Sequence, residues 1–315
     1  MHGYAEIPSR LSEFLAPLVD KRRLIEELGE PLSVSAPIMF ETAQRLCDDG
    51  HGGDCRAYHS IWQYLRHAGA WHAIRNDGAL FVAAAERLAR QGQLTRALVS
   101  GAADYSMLAH VAHGAKRGEA QPAIDVLDQC ETSLRLNRWY AAGRGLVINT
   151  VKAAALSFAP DQRYDLICTH SFLSWQPFAD RPQLFKKWSA WLRPGGRLCF
   201  SDRVSTVDTP FDPVARKQRI ERLVEDALAR IAEQRTKLPC TEAAFADLIR
   251  RFGMRFHADQ RAMPKELVEA WAAEAGLVTD LALPLAEALP GAGIPSLLSQ
   301  PRTDRVRIWF QFSRP

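Results

Sequence analysis

The chain predicts an α/β fold: a doubly wound, mostly parallel sheet with an all-helical cap before it and a helical insertion after its fifth strand. Three observations predict it. Residues 1 to about 92 place apolar side chains at helical spacing only. From Leu94 short apolar runs alternate with segments long enough for crossover helices, the pattern of buried parallel strands. After Asp202 the alternation stops and long charged, amphipathic stretches follow. The expected division is 1–92 for the helical cap and 93–315 for the sheet domain, with the insertion at about 206–262. A length of 315 residues suits one augmented domain or two modest ones, at roughly 150 residues per domain.

In order along the chain, Leu11, Phe14, Leu15 and Leu18, then Leu24 and Leu28, mark amphipathic helices. The segment 48–54, Asp-Asp-Gly-His-Gly-Gly-Asp, holds three glycines, which disfavour helix and predict a loop. Tyr58, Ile61, Trp62 and Leu65 then form one helical face, with Gly69 as its stop. Five apolar runs read as strands: 96–101, 123–128, 145–150, 164–170 and 196–202. The intervening segments are long enough for right-handed crossover helices. Beyond them lie a long amphipathic helix from Pro213, a helix that starts behind Thr241 and stops at Gly253, and a third from Pro264 to Gly276. The tail 304–313 alternates strongly enough to be a last strand.

Composition excludes several classes. Apolar residues at 47% and charged residues at 24% are ordinary for a globular protein and exclude disorder and fibrous repeats. Forty basic against 36 acidic residues leave +4, too weak and diffuse a charge for the basic stripe of a nucleic-acid binder. No apolar run reaches the roughly 18 residues of a membrane span, and the first residues lack a signal-peptide layout. A cytoplasmic protein with reduced thiols is the expectation for the six cysteines, Cys47, Cys55, Cys130, Cys168, Cys199 and Cys240.

The order of these signals resembles the class I S-adenosylmethionine (SAM) dependent methyltransferases over about 94–202 plus the C-terminal helix and strand. Four segments carry the resemblance: Arg96–Ala109, with its strand, glycine turn and helix; Asp128 at the end of the second strand; Val151–Trp175; and the helix, Pro-Gly-Gly turn and strand of Trp188–Asp202. It implies a seven-stranded sheet, SAM as cofactor and methyl transfer. It also implies cofactor contacts at Gly101, Ala102, Ala103, Asp128, Gln129, Lys152, Ala153 and His170. The family's alternating glycines correspond here to Gly101, Ala103 and Tyr105, so one glycine of three is kept, and Tyr105 must turn its ring away or cover the cofactor. Lys152 cannot accept a hydrogen bond from an adenine amino group, whereas the main chain of Ala153 could serve. Gly101 could also be a plain strand-to-helix turn and Asp128 a helix N-cap; Asp104 is read as the cap of the first crossover helix.

His170, at the end of the fourth strand, is the candidate catalytic base, with a hydrogen-bonded histidine beneath the cap as the alternative. Arg56, Tyr58, His59 and Trp62 gather a cation and three aromatic rings within two helical turns and are candidates for acceptor binding, as is Trp175. Each could instead be a packing residue. Cys47, His51, Cys55 and His59 are spaced by four, but the glycines between them interrupt any common helix, so no metal is assigned. The leading reading is methylation of an oxygen or nitrogen, less readily carbon or sulfur, of a small molecule. No nucleic-acid or membrane partner is expected, and a homodimer stays open. The alternatives are a SAM-binding protein with a non-methylating reaction and a non-catalytic partner protein.

Overall fold

A computed structural model describes residues 21–47, 55–71, 73–208, 212–256, 261–288 and 305–315. The readings at Leu11 to Leu18 and at 48–54, His51 included, lie outside these residues. The first elements are helices α1 (Lys21–Leu28), α2 (Leu32–Leu46), α3 (Cys55–His67), a 3-10 turn at Ala73–Asn76 and α4 (Gly78–Arg90). The alternating part runs β1 (Arg96–Ser100), α5 (Ser106–Arg117), β2 (Ala123–Asp128), α6 (Glu131–Gly143), β3 (Ile148–Lys152), β4 (Tyr164–His170), α7 (Arg181–Trp191) and β5 (Leu192–Ser205). Helices α8 (Pro213–Glu233), α9 (Glu242–Phe256) and α10 (Lys265–Glu274) follow, then β6 (Val278–Pro284), α11 (Leu285–Ala288) and β7 (Arg305–Ser313).

Among the described residues seven strands form one sheet in the order β3-β2-β1-β4-β5-β7-β6. The first five are parallel, and β7 lies antiparallel between β5 and β6. Successive side chains of the inner strands bury into opposite layers, as the two-residue period of a strand requires. Ala97 and Val99 pack with the N-terminal helices, Leu98 with α7 and α10; Leu166 and Cys168 divide from Ile167 in the same way. Both faces are covered, which is why these strands read as continuous apolar runs. Strand β6 escaped periodicity because it is the outer edge: its residues are only half-buried or exposed, and Pro284 is tolerated where no further strand needs its missing N–H.

Two glycine positions on α5 bring α4 unusually close. A Cβ on Gly114 would stand 2.4 Å from the Val82 carbonyl oxygen, and one on Gly118 at 2.4 Å from the Ala89 methyl. Gly253, expected to end a helix, lies inside α9, where a Cβ would meet Ile220 of α8 at 2.9 Å. Close packing between the insertion helices selects glycine there. Helix α8 starts as the sequence predicts, with Pro213 at its first position and the Asp212 carboxylate accepting the Val214 and Ala215 amides.

The N-terminal helices are tied to the sheet by a buried ionic group. Arg66, fully buried, pairs with Asp104 and with Glu30, each at 2.5 Å, and Gln63 donates to Asp104 at 3.2 Å. The other Asp104 oxygen accepts the Ser106 amide at 2.8 Å, so Asp104 does serve the start of α5 while also anchoring α3. Tyr58 on α3, Trp175 after β4 and Phe252 on α9 make an aromatic roof, with ring centroids 5.5 to 6.4 Å apart. No described helix is long and apolar enough to cross a membrane.

Candidate cofactor and acceptor site

The roof covers a cleft at the C-terminal ends of β1, β2 and β4, the end where open α/β sheets take ligands. Its floor begins at Gly101, whose φ of +77° is a left-handed conformation. A Cβ there would also strike the Phe172 ring at 2.3 Å, so backbone and neighbour both demand glycine. Ala103 lines the cleft. Tyr105 does not: it is fully buried, stacked on Tyr140 at 4.4 Å and 3.0 Å from the Ser35 hydroxyl, so its ring is turned into the core. The loss of the third glycine therefore leaves the cleft open.

Asp128 ends β2 in the cleft. Its Oδ2 accepts the Ala102 amide at 3.0 Å and its Oδ1 the Cys130 amide at 2.7 Å. These bonds hold the carboxylate still, and each oxygen keeps a lone pair. Burial, opposed by those amides and by His59, raises its pKa to about 6. Its partners are the two turns beside it rather than the α6 amides, and α6 itself has Cys130 at its N-cap. Gln129 and Lys152 line the same wall. Ala102 and Ala153 contribute through the main chain only: the first N–H goes to the Asp128 carboxylate and the second, at 3.1 Å, to the Asp128 carbonyl. A bare glycine backbone beside a fixed carboxylate with two free lone pairs fits the ribose end of SAM.

His170 lines the cleft across from this wall, and its Nε2 lies 3.1 Å from Asp77 Oδ2. Asp77 is fully buried at the start of α4; Ser201 donates to the same oxygen, and Arg307 of β7 stands 3.1 Å from the Ser201 hydroxyl and 3.9 Å from the carboxylate. Burial alone would raise the Asp77 carboxyl, but His170, Arg307 and Ser201 together hold it below its ordinary value. The tautomer with its proton on Nε2, toward this carboxylate, leaves Nδ1 basic, and Arg307 Nη1 stands 3.5 Å from the same Nε2. Sequence reasoning missed Asp77 and Arg307. Asp77 reads locally as nothing more than a residue ahead of a helix, and its contact with His170 spans 93 positions, 77 to 170.

Of the acceptor candidates, Tyr58, His59 and Trp175 line the cleft, whereas Arg56 and Trp62 do not. Arg56 donates to the Cys47 carbonyl at 3.1 Å, and Trp62 packs behind Tyr58 against Trp71. His59 is committed to sulfur: its Nδ1 lies 3.2 Å from Cys47 Sγ and 3.5 Å from Cys130 Sγ. Burial opposes a charge on this imidazole, while the neighbouring Cys130 and Cys55 sulfurs favour it. The separation of Cys47 from Cys55 and His59 by residues 48–54 does not keep these side chains apart. The ends of α2 and α3 meet at the start of α6, where Cys130 joins them.

A seven-stranded sheet in this order, with a glycine turn after β1 and a carboxylate at the tip of β2, is the architecture of the class I SAM-dependent methyltransferases. Residues 101–200 match the family model described as a methyltransferase domain. No curated protein matches the sequence. The solved structures similar to it include the N-methyltransferase NodS from Bradyrhizobium japonicum WM9 in complex with S-adenosyl-L-homocysteine, at 15% identity over 74% of this chain and 85% of that one, TM-score 0.44. A SAM-dependent methyltransferase from Clostridium acetobutylicum ATCC 824 is 9% identical over 82% and 98%, TM-score 0.48. The O-methyltransferase of a trans-AT PKS multienzyme of Brevibacillus brevis is 12% identical over 74% and 71%, TM-score 0.46.

Proposed function

We propose that the protein methylates an oxygen or nitrogen of a small molecule held beneath the aromatic roof, with His170 as general base. The observation that carries this reading is the His170–Asp77 pair at the cleft: a solvent-shielded carboxylate that orients an imidazole is the arrangement a proton-abstracting base needs. Bound SAM supplies an electrophilic methyl group. The chain's own residues do the rest. Asp128 and the Gly101 turn position the cofactor, and Tyr58 and Trp175 clamp a planar acceptor. His170 Nδ1 takes the acceptor proton while Asp77 and Arg307 fix the ring. Helices α3 and α9, which carry Tyr58 and Phe252, form the acceptor side, which favours an enclosed small molecule over a polymer.

The test is a panel of phenols, carboxylic acids and amines incubated with SAM and the purified protein, with mass spectrometry reading the gain of one methyl group. Product from the wild type that is lost in His170→Ala, while calorimetry shows S-adenosyl-L-homocysteine still bound, is the expected result. Undiminished transfer by that variant would remove His170 as the base.

A further inference from the structure

Cys47, Cys55, His59 and Cys130 each offer one ligand atom, and the four atoms lie within 4.8 Å of one another. Four of the six pairwise separations are Cys47 Sγ to Cys130 Sγ 3.7 Å, Cys55 Sγ to Cys130 Sγ 4.0 Å, and His59 Nδ1 to Cys47 Sγ 3.2 Å and to Cys130 Sγ 3.5 Å. For zinc bonded at about 2.3 Å to sulfur and about 2.05 Å to nitrogen, tetrahedral angles demand edges of about 3.8 Å between sulfurs and about 3.6 Å between sulfur and nitrogen. The observed edges scatter around those values.

We infer that Cys47, Cys55, His59 and Cys130 form a structural Zn²⁺ site that fastens the N-terminal helices to the cofactor wall. Four protein ligands close the coordination shell, which is the structural rather than the catalytic pattern, and three thiolates with one imidazole suit zinc. The shell is supported from outside: the Thr132 hydroxyl stands 3.1 Å from Cys47 Sγ, and Arg56 donates to the Cys47 carbonyl, placing a cation beside a site whose net charge with three thiolates is negative. Binding releases the thiol protons, so the site is weakened by acid. Its position has a consequence for the cofactor. Cys130 donates its amide to Asp128 Oδ1, so the ion holds the turn that holds the ribose acceptor. Cys47 ends α2 and Cys55 begins α3, so the same ion closes the chain across residues 48–54.

The experiment uses the full chain, purified after growth with zinc, and reads metal by plasma mass spectrometry. One zinc per chain is expected. Exchange for Co²⁺ should then give the visible bands of a tetrahedral centre with intense thiolate-to-cobalt charge transfer. Cys55→Ser should lose or shift both, and Cys240→Ser, which removes a thiol outside the cluster, should change neither. Because a ligand variant can fail to fold, Thr132→Val is the second arm: zinc affinity measured by competition with a chromogenic chelator should fall roughly 10- to 100-fold with the circular dichroism spectrum unchanged. Substoichiometric zinc together with no tetrahedral Co²⁺ spectrum, a spectrum unaltered in Cys55→Ser, or an intact mass showing a disulfide between these cysteines would each overturn the site.

Discussion

Two buried ionic groups join the N-terminal helices to the sheet, and they differ in whether they reach the cleft. Around Arg66, Asp104 and Glu30 both pair with the guanidinium and Arg75 adds a contact to Glu30 at 3.4 Å; Arg66 Nε is buried with no partner among the described residues, and none of these residues lines the cleft. Around Asp77 one oxygen receives His170, Ser201 and Arg307, while Oδ1 is buried with no partner among the described residues. His170 opens into the cleft. A closed network stabilises; an open one keeps a base in reserve. The first should therefore report on folding and the second on turnover.

Variants at the two groups can break or sharpen that contrast. The largest effect is expected for His170→Ala, where removal of a general base should lower the turnover of the acceptor found in the panel by roughly 10²- to 10⁴-fold, with melting temperature and cofactor affinity nearly unchanged. Arg66→Met should act in the opposite sense. Stranding Asp104 and Glu30 in the interior should destabilise the protein by about 3–5 kcal/mol in urea denaturation, while the folded fraction keeps its turnover.

The Glu30 carboxyl supplies a pH test of the closed network. Burial alone would raise its pKa, but Arg66 outweighs this, with help from His110 and Arg75, and lowers it from 4.5 to about 2. A depressed carboxyl adds stability above its unfolded pKa and loses it as pH falls. Between about pH 5 and pH 2 the wild type should thus lose on the order of 3 kcal/mol that Glu30→Gln does not, read as the difference between their pH–stability curves. On the cofactor wall, Asp128→Asn should weaken S-adenosyl-L-homocysteine binding by ~10- to 150-fold in calorimetry, matching the loss of charged hydrogen bonds worth about 1.5–3 kcal/mol. The smallest effect belongs to Tyr105→Phe: loss of the hydroxyl contact to Ser35 should destabilise by about 1 kcal/mol and leave cofactor affinity alone, since the ring points away from the cleft. A large affinity loss in that variant would show that this tyrosine reaches the ligand after all.

The parallel half of the sheet was legible because its inner strands are buried on both faces and each crossover is long, so the runs from Arg96 to Asp202 carry their own punctuation, while the edge strand β3 is half-buried or exposed. Gly101, Asp128 and His170 follow from that legibility, since each stands at the end of such a run. The edge strand β6 and the interior Gly253 were not legible, because half-burial weakens the alternation and a glycine chosen for helix packing looks like a helix stop. The cysteine cluster failed for a different reason. Spacing by four invites a test along one helix, and that test fails at residues 48–54, yet the ligands meet because α2, α3 and the start of α6 converge in space.

By itself, then, the amino-acid sequence determined the parallel half of the sheet, its crossovers and the end of it that takes the cofactor, because burial and backbone conformation imprint periods of two and 3.6 on neighbouring residues. Only the tertiary structure decided which way Tyr105 turns, that His170 is paired with Asp77, that Arg56 and Trp62 serve packing, and that Cys130 completes a set with Cys47, Cys55 and His59. The first, second and last of those outcomes depend on contacts between residues 70 to 93 positions apart, taking Ser35 with Tyr105, Asp77 with His170 and Cys130 with His59, for which no local period exists.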